Sequence, residues 1–340
     1  MSKNYRLAGI DVSAGKLDVV IDNSRGAEMH KVFENNPKGH AAVCRFIRPG
    51  KTPARVVLEA TGKYGVDLAL ALVEQDIEVC VINPLAARRY MQFRMRRGKT
   101  DKVDATLLKD IAGSKEFARW TPPASAVLEL RNIVRRVRGV TKQMVSDKNQ
   151  LHAARATATT PDYILEDMLD AIATHKKRIA GLLKHAKAVV EASQELQDRF
   201  DAFQSLSGFG APTSLMLLGE LYGLDRSLST RQVVAYAGLD PRPTQSGTRD
   251  PARRISKLGN AHLRSSLYMP ALTAIRHEPV VKAHYEAVLE RSGVKKVAIV
   301  AVMRKLLHTA WGMVKSPAAF DPEKYSPKYA QLIEKSEKAA

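Results

Sequence analysis

Cysteine is nearly missing from this chain of 340 residues: Cys44 and Cys80 are the only two, each inside an apolar segment and without Cys-x-x-Cys spacing. That excludes a disulfide framework and a thiolate zinc site, and both thiols are expected to be reduced core residues. The nine histidines fall at no zinc spacing either. A long apolar run is lacking too. No window reads as a membrane span, and the opening Met-Ser-Lys-Asn-Tyr-Arg has no apolar signal region behind it, so the expected location is the cytoplasm, with no membrane partner. A phosphate loop is also absent. Gly98-Lys99-Thr100 resembles the end of a Walker loop, but Phe93 stands where its partner glycine belongs and no apolar strand precedes it, which excludes ATP binding on this motif.

Acids are scarce relative to bases. Against 54 Lys and Arg stand 35 Asp and Glu, a formal charge of +19, and a chain this basic works against a polyanion, by default nucleic acid. Lys and Arg run the whole length instead of gathering on one amphipathic helix, which argues against a membrane-surface protein. The densest run holds Arg88, Arg89, Arg94, Arg96, Arg97 and Lys99 with no acid between them, and is expected to face phosphate. The length suffices for two compact domains.

The chain is organised around Leu7 to Val20. It reads as two short apolar strands joined by Ser13-Ala14-Gly15-Lys16, with Asp11 at the end of the first. A carboxylate among apolar neighbours asks for a cation; Asp11 as the residue that opens the turn is the equal alternative. Glu28 to Phe33 forms a third strand and Gly39 to Ile47 a helix. Arg55 to Ala60 is a buried strand ending in a second acid, Glu59. A turn at Thr61-Gly62-Lys63-Tyr64 leads to a helix through Glu74, and Ile77 to Ile82 is another buried strand. This is an α/β pattern with a mixed sheet.

Thr100-Asp101-Lys102-Val103-Asp104 opens a helix on which Asp101 and Asp104, three apart, project from the same side. Asp101 as N-cap with Asp104 as its partner is the structural reading; a metal site is the functional one. Taken together, Asp11 and Glu59 come from strand ends and Asp101 and Asp104 from one helix face. Folding could bring these four hard oxygen groups to one sheet edge, where they would suit two magnesium ions about 4 Å apart, the arrangement that serves phosphodiester chemistry.

From Ala124 to Ala154 apolar residues keep a heptad, with Leu130, Ile133, Val137, Val140, Met144 and Leu151 on the seam and Asp147 as a break. A second run from Leu165 to Val189 keeps the same period, interrupted by His175. An antiparallel coiled-coil hairpin turning near Pro161 is expected, with Arg131, Arg135, Arg136, Arg138 and Lys142 free to touch nucleic acid. Farther on, Ser205-Leu206-Ser207-Gly208-Phe209-Gly210 resembles the turn of a helix-hairpin-helix, which offers N–H groups to phosphate; a tight structural turn accounts for it equally. A loop rich in Pro, Gly, Thr and Arg follows, from Ala235 to Arg249. The tail after Ser316, with three prolines, is expected to be loosely held.

Asp11 in Gly-Ile-Asp-Val, Glu59 in Leu-Glu-Ala-Thr-Gly and the Lys99-Thr-Asp-Lys-Val-Asp104 run together resemble the catalytic set of the DEDD-type insertion-sequence transposases of the IS110 family. Ser-Gly-Phe-Gly, Ala-Tyr-Ala-Gly-Leu-Asp-Pro-Arg, Gln-Ser-Gly, Ser-Lys-Leu-Gly-Asn and Leu-Tyr-Met-Pro-Ala are similar to that family's second transposase domain, in the right order. The resemblance implies an α/β RNase H-like, RuvC-like mixed-sheet domain over residues 1–115. After it come a coiled-coil hairpin over 116–198, a mostly α-helical transposase domain over 199–316 and a flexible tail over 317–340.

It implies Mg2+-dependent DNA cleavage and exchange, with Asp11, Glu59, Asp101 and Asp104 as metal ligands. Ser246 is the implied nucleophile, forming a phosphoserine link. Read from the loop alone, Ser246 is turn chemistry, and Thr244 and Thr248 are neighbouring hydroxyls. Arg94, Arg96, Arg97, Lys99, Arg242, Arg249, Arg253, Arg254 and Lys257 are the expected nucleic-acid contacts. The implied partners are donor and target DNA, a structured noncoding bridge RNA and further copies of the chain in a dimer or tetramer. The rival functions are a junction-resolving nuclease using metal-activated water and a non-catalytic architectural binder.

Overall fold

The computed structural model describes residues 5–23, 26–50, 52–59, 64–94, 100–115, 117–242 and 254–331, and the chain divides into two units, 1–122 and 123–340. The first unit runs β1 (Arg6–Val12), β2 (Lys16–Asp22), β3 (Glu28–Glu34), α1 (Pro37–Ile47), β4 (Ala54–Glu59), α2 (Val66–Glu74), β5 (Glu78–Ile82), α3 (Pro84–Phe93) and α4 (Asp101–Ala112). Among the described residues its strands form one five-stranded sheet in the order β3-β2-β1-β4-β5. The β1–β2 and β2–β3 pairs are antiparallel, β1–β4 and β4–β5 parallel. The mixed sheet agrees with the expected α/β class and is compatible with an RNase H-like domain.

Strand alternation decides what lies on each face. Ala8, Ile10 and Val12 of β1, Leu17, Val19 and Ile21 of β2, and Val56 and Leu58 of β4 cluster with Val43, Ile47, Leu68 and Leu72 of α1 and α2. The opposite face presents Leu7, Val57 and Cys80 to Leu108, Ile111 and Ala112 of α4. Gly9 is where α4 crosses closest: a Cβ there would stand 2.0 Å from the Ala105 carbonyl oxygen and 2.3 Å from the Lys109 nitrogen. Only glycine leaves room for that backbone approach. Farther along α4, Lys109 is buried, with its Nζ 2.6 Å from Asp22 and 2.7 Å from Glu28. Burial works to lower its pKa, but the two carboxylates outweigh it and hold the ammonium above its usual range.

The second unit begins with α5 (Ser125–Arg155) and α6 (Asp162–Glu191), followed by α7 (Gln194–Gln204), α8 (Ala211–Leu221) and α9 (Thr230–Tyr236). Then come a short ladder of β6 (Pro241–Arg242) and β7 (Arg254–Ile255), and α10 (Ala261–Ser266), α11 (Tyr268–His277), α12 (Pro279–Ser292), α13 (Lys295–Lys315) and α14 (Pro322–Tyr325). Phe203, Phe209, Leu217, Leu218, Leu307 and Trp311 lie in its core. The hairpin of α5 and α6 forms, but its seam is not a continuous buried stripe. Val127, Leu130 and Val134 of α5 join the common core, and Gly219 of α8 lies against the Arg131 backbone and Val134. Between Val140 of α5 and Ala186 of α6, following the chain around the hairpin, the buried residues of these two helices are Leu151 and Ile172. The two polar interruptions meet each other: His175 Nε2 stands 3.0 Å from Asp147.

Two expectations need correction, and one of two open readings is favoured. α13 is long and apolar enough to cross a membrane, contrary to the sequence reading, but half of that apolar stretch is buried in the unit. Its buried side includes Val302, Leu306, Leu307, Ala310 and Val314, which makes it a core helix. The segment after Ser316 packs as far as residue 331: the Tyr325 side chain is buried and its hydroxyl meets His284 Nδ1 at 3.0 Å. Aromatic residues late in the segment, Phe320, Tyr325 and Tyr329, outweigh its prolines. Finally, the turn at Gly208 (φ 97°) faces protein. A Cβ on Gly208 would meet the Pro270 carbonyl oxygen at 2.6 Å, and the Ser207 N–H donates to the Glu278 carboxylate at 3.1 Å. The close approach of α11 accounts for that glycine.

Candidate active site

The acids of the first unit are placed by register. Asp11 follows Gly9 at the spacing of one strand face, so it projects beside α4, and antiparallel pairing sets Asp18 of β2 directly across from it. Glu59 follows Leu58, the partner of Ile10, and Val57, its neighbour on the same face, packs in the α4 cluster. Three carboxylates therefore share the face that α4 covers. Thr100 caps that helix by accepting from the Val103 N–H at 3.3 Å. The cap is Thr100, not Asp101, so both Asp101 and Asp104 lie in the first turn.

Charge crowding follows. The half-buried Asp11 carboxyl is pushed up to about 6, first by burial and then by the charges of Asp101, Asp104, Glu59 and Asp18. Asp18, buried and 2.9 Å from His30 Nε2, is a member of this group that sequence reasoning missed. Its signal was a lone acid inside the alternating apolar strand Leu17-Asp18-Val19. Lys16, at the start of β2, was missed as well. Its Nζ bonds the Asp101 carboxylate and stands 3.3 Å from Asp18, and these two bonds hold the ammonium above its usual range, Asp101 contributing most.

These hard oxygen donors suit a divalent cation, and mutual repulsion is what such an ion relieves. Among the described residues, no three His, Cys, Asp or Glu side chains converge on a common metal position.

The basic residues divide. Arg94 does have an acidic partner, 2.9 Å from Asp110 of α4. Arg96, Arg97 and Lys99 lie outside the described residues. Arg135, expected on the nucleic-acid side of α5, instead turns inward. Its Nε and Nη2 donate to the two oxygens of buried Glu220 at 2.6 and 2.8 Å. Burial pushes the Glu220 carboxyl up, but the Arg135 bonds and charge prevail and hold it below its ordinary value.

The serine loop has a described stem and a tip beyond description. Arg242 on β6 pairs with Arg254 on β7, both exposed. Ser246, Thr244, Thr248, Arg249 and Arg253 fall outside the described residues. Beneath the stem, Ser256 Oγ donates to Asp240 at 2.5 Å and Arg264 donates to the Ala237 carbonyl at 2.9 Å. Lys257, exposed, takes φ 54° as the chain turns toward Gly259. A Cβ on Gly259 would meet the Tyr236 carbonyl oxygen at 2.3 Å. Asn260 caps α10 and donates 2.6 Å to Glu220, so one buried carboxylate ties α5, α8 and the foot of the serine loop together.

Residues 8–155 match the transposase family model for DEDD transposases of the IS110 type, and residues 201–286 match the model described as the transposase IS116/IS110/IS902 family. Curated relatives align along most of the chain. The pilin gene-inverting proteins of Moraxella bovis and Moraxella lacunata are each 26% identical over 326 residues, covering 94% of this chain and 98% of their own. The transposase for insertion sequence element IS1111A of Coxiella burnetii is 24% identical over 294 residues, 76% of this chain and 77% of its own. With both family models matched in order and acids of the first laid out along one sheet edge, this chain belongs to the IS110 family of transposases and is a DNA-recombining enzyme.

Proposed function

We propose that this transposase cuts and exchanges DNA strands with divalent magnesium held by Asp11, Glu59, Asp101 and Asp104, and with Ser246 as the nucleophile. The observation that carries the reading is the crowding of Asp11, Asp18 and Glu59 on the sheet face that α4 covers with Asp101 and Asp104 in the first turn of α4, in a chain of net charge +19. A cluster that repels itself inside a basic protein is suited to gather cations against a phosphate backbone. The bound metal supplies charge stabilisation at the scissile phosphate. Ser246 Oγ forms a bond to phosphorus as the bond to the deoxyribose oxygen breaks, and the freed strand leaves as a hydroxyl end. The phosphoserine ester keeps the bond energy, so resealing needs no ATP. Arg242 and Arg254, exposed at the mouth of the stem, are the described residues suited to hold that phosphate. In the same reading a bridge RNA encoded beside the gene pairs with donor and target DNA, and the chain works as a homo-oligomer.

The test is a covalent-adduct assay. Protein, flanking-region RNA, donor and target DNA and Mg2+ are mixed and quenched in denaturant, and the peptide spanning Arg242 to Arg249 is weighed by mass spectrometry. The expected result is phosphonucleotide on Ser246, lost in Ser246→Ala and in Asp101→Asn, and lost when RNA or Mg2+ is omitted. Cleaved ends without an adduct, persisting in Ser246→Ala, would replace this reading with a nuclease using activated water.

A further inference from the structure

The cluster already contains a cation. Lys16 opens β2 immediately after the hairpin turn and projects on the same sheet face as Asp18, two residues on, and as Asp11 opposite. Its ammonium bonds Asp101 in the first turn of α4 and reaches Asp18 at 3.3 Å. Asp101 is one of the four acids given above to the metal, whereas Asp18 is buried and tied to His30, and so remains a fixed anchor. We propose that Lys16 is the resident counter-ion of the carboxylate cluster, that an incoming divalent metal must displace it from Asp101, and that Lys16 thereby sets the metal affinity of the site. This rests on the metal-binding reading above.

The physical logic is competition for one carboxylate. An oxygen that donates its lone pairs to an ammonium is less available to a metal, so the ion pair subtracts its own free energy from metal binding. The pair is half exposed on both sides, at 51% and 49%, which places it in the range of weak surface pairs. A weak competitor is what a site needs if metal is to enter readily. Lys16 holds Asp101 beside the sheet until metal arrives and then gives it up, keeping Asp18 as its partner.

Two measurements on the full-length protein test this, both with Mn2+ as the probe and neither reading activity. In the first, Mn2+ binding is titrated in wild type, Lys16→Met, Lys102→Gln and Asp101→Asn. Lys102 is exposed beside Asp101 and controls for simple loss of a positive charge. Lys16→Met is expected to bind about two- to fivefold more tightly than wild type, Lys102→Gln to change by less than about 1.5-fold, and Asp101→Asn to weaken. In the second, wild-type lysines are acetylated with and without Mn2+ and quantified by mass spectrometry. Labelling of Lys16 is expected to rise with Mn2+ while that of Lys102 stays level. Binding unchanged or weakened in Lys16→Met, or Lys16 labelling indifferent to Mn2+, overturns the displacement while leaving metal binding intact. Failure of wild type to bind Mn2+, or undiminished binding in Asp101→Asn, overturns the metal assignment and the displacement together.

Discussion

The two units build their candidate sites by different means. In the first, each acid is positioned by regular structure: Asp11 and Asp18 by the register of β1 and β2, Glu59 by the end of β4, and Asp101 and Asp104 by the first turn of α4. In the second, the serine loop stands on two pairs of ladder residues, and its foot is held by side-chain bonds converging on Glu220. A sheet-edge site inherits its precision from backbone hydrogen bonds that repeat along the strand. A loop site must import its precision from a buried polar network, and such a network is sensitive to any missing member.

The sharpest way to break this contrast is at Glu220. Glu220→Ala leaves the Arg135 guanidinium without its carboxylate and leaves Asn260 only the weaker of its two acceptors, the Tyr236 hydroxyl at 3.2 Å, and is expected to destabilise the protein by about 3–5 kcal/mol, measured by urea denaturation. Glu220→Gln is expected to recover part of that loss. If Glu220→Ala costs no more than an ordinary surface change, the loop foot is not organised by this carboxylate.

Next in size is Gly9→Ala in the sheet unit. Its Cβ would collide with backbone atoms of α4, so the helix must shift and carry Asp101 and Asp104 with it. A loss of about 1–3 kcal/mol is expected, together with weakened Mn2+ binding. Loss of stability with metal affinity unchanged would show that the acids do not depend on how closely α4 lies on the sheet.

The smallest effect has the opposite sign. The folded Asp11 carboxyl sits at about 6 and the unfolded one at its ordinary 3.8, so between those values the folded state holds a proton that the unfolded state has released. Stability therefore falls as pH rises through that window, and the penalty is complete above pH 6. Asp11→Asn removes it. At pH 7 without metal, the variant is expected to be more stable than wild type by about 1–2 kcal/mol, after allowing for solvent exposure, with the gain gone below pH 4. The same variant is expected to lose strand cleavage. A gain that persists at low pH would trace the effect to packing instead of charge.

Much of the first unit was legible in the chain itself. Alternation in Leu7–Val20 and the apolar run before Glu59 announced the strands, and the pair Asp101 and Asp104 announced a helix face. Asp18 and Lys16 were harder to see, because their importance depends on which residue lies across the hairpin and which helix lies above it. The heptad in α5 was legible as apolar periodicity, but its partner was not. A helix face records that it is covered without recording by what, and part of this one is covered by α8. Arg135 illustrates the same limit: an arginine on a basic helix reads as a phosphate contact until a buried acid from α8 is found beneath it.

What the sequence by itself determined was the set of elements, the excess of basic charge, the acids at strand ends and helix start, and the family to which their order belongs. Local periodicity and spacing encode these, and neither needs a distant partner. Only the tertiary structure decided which charges meet: Lys16 with Asp101, Lys109 with Asp22 and Glu28, and Arg135 with Glu220, residues separated by more than eighty positions in the chain. Such pairs follow from strand register and helix packing, which a single sequence does not state residue by residue.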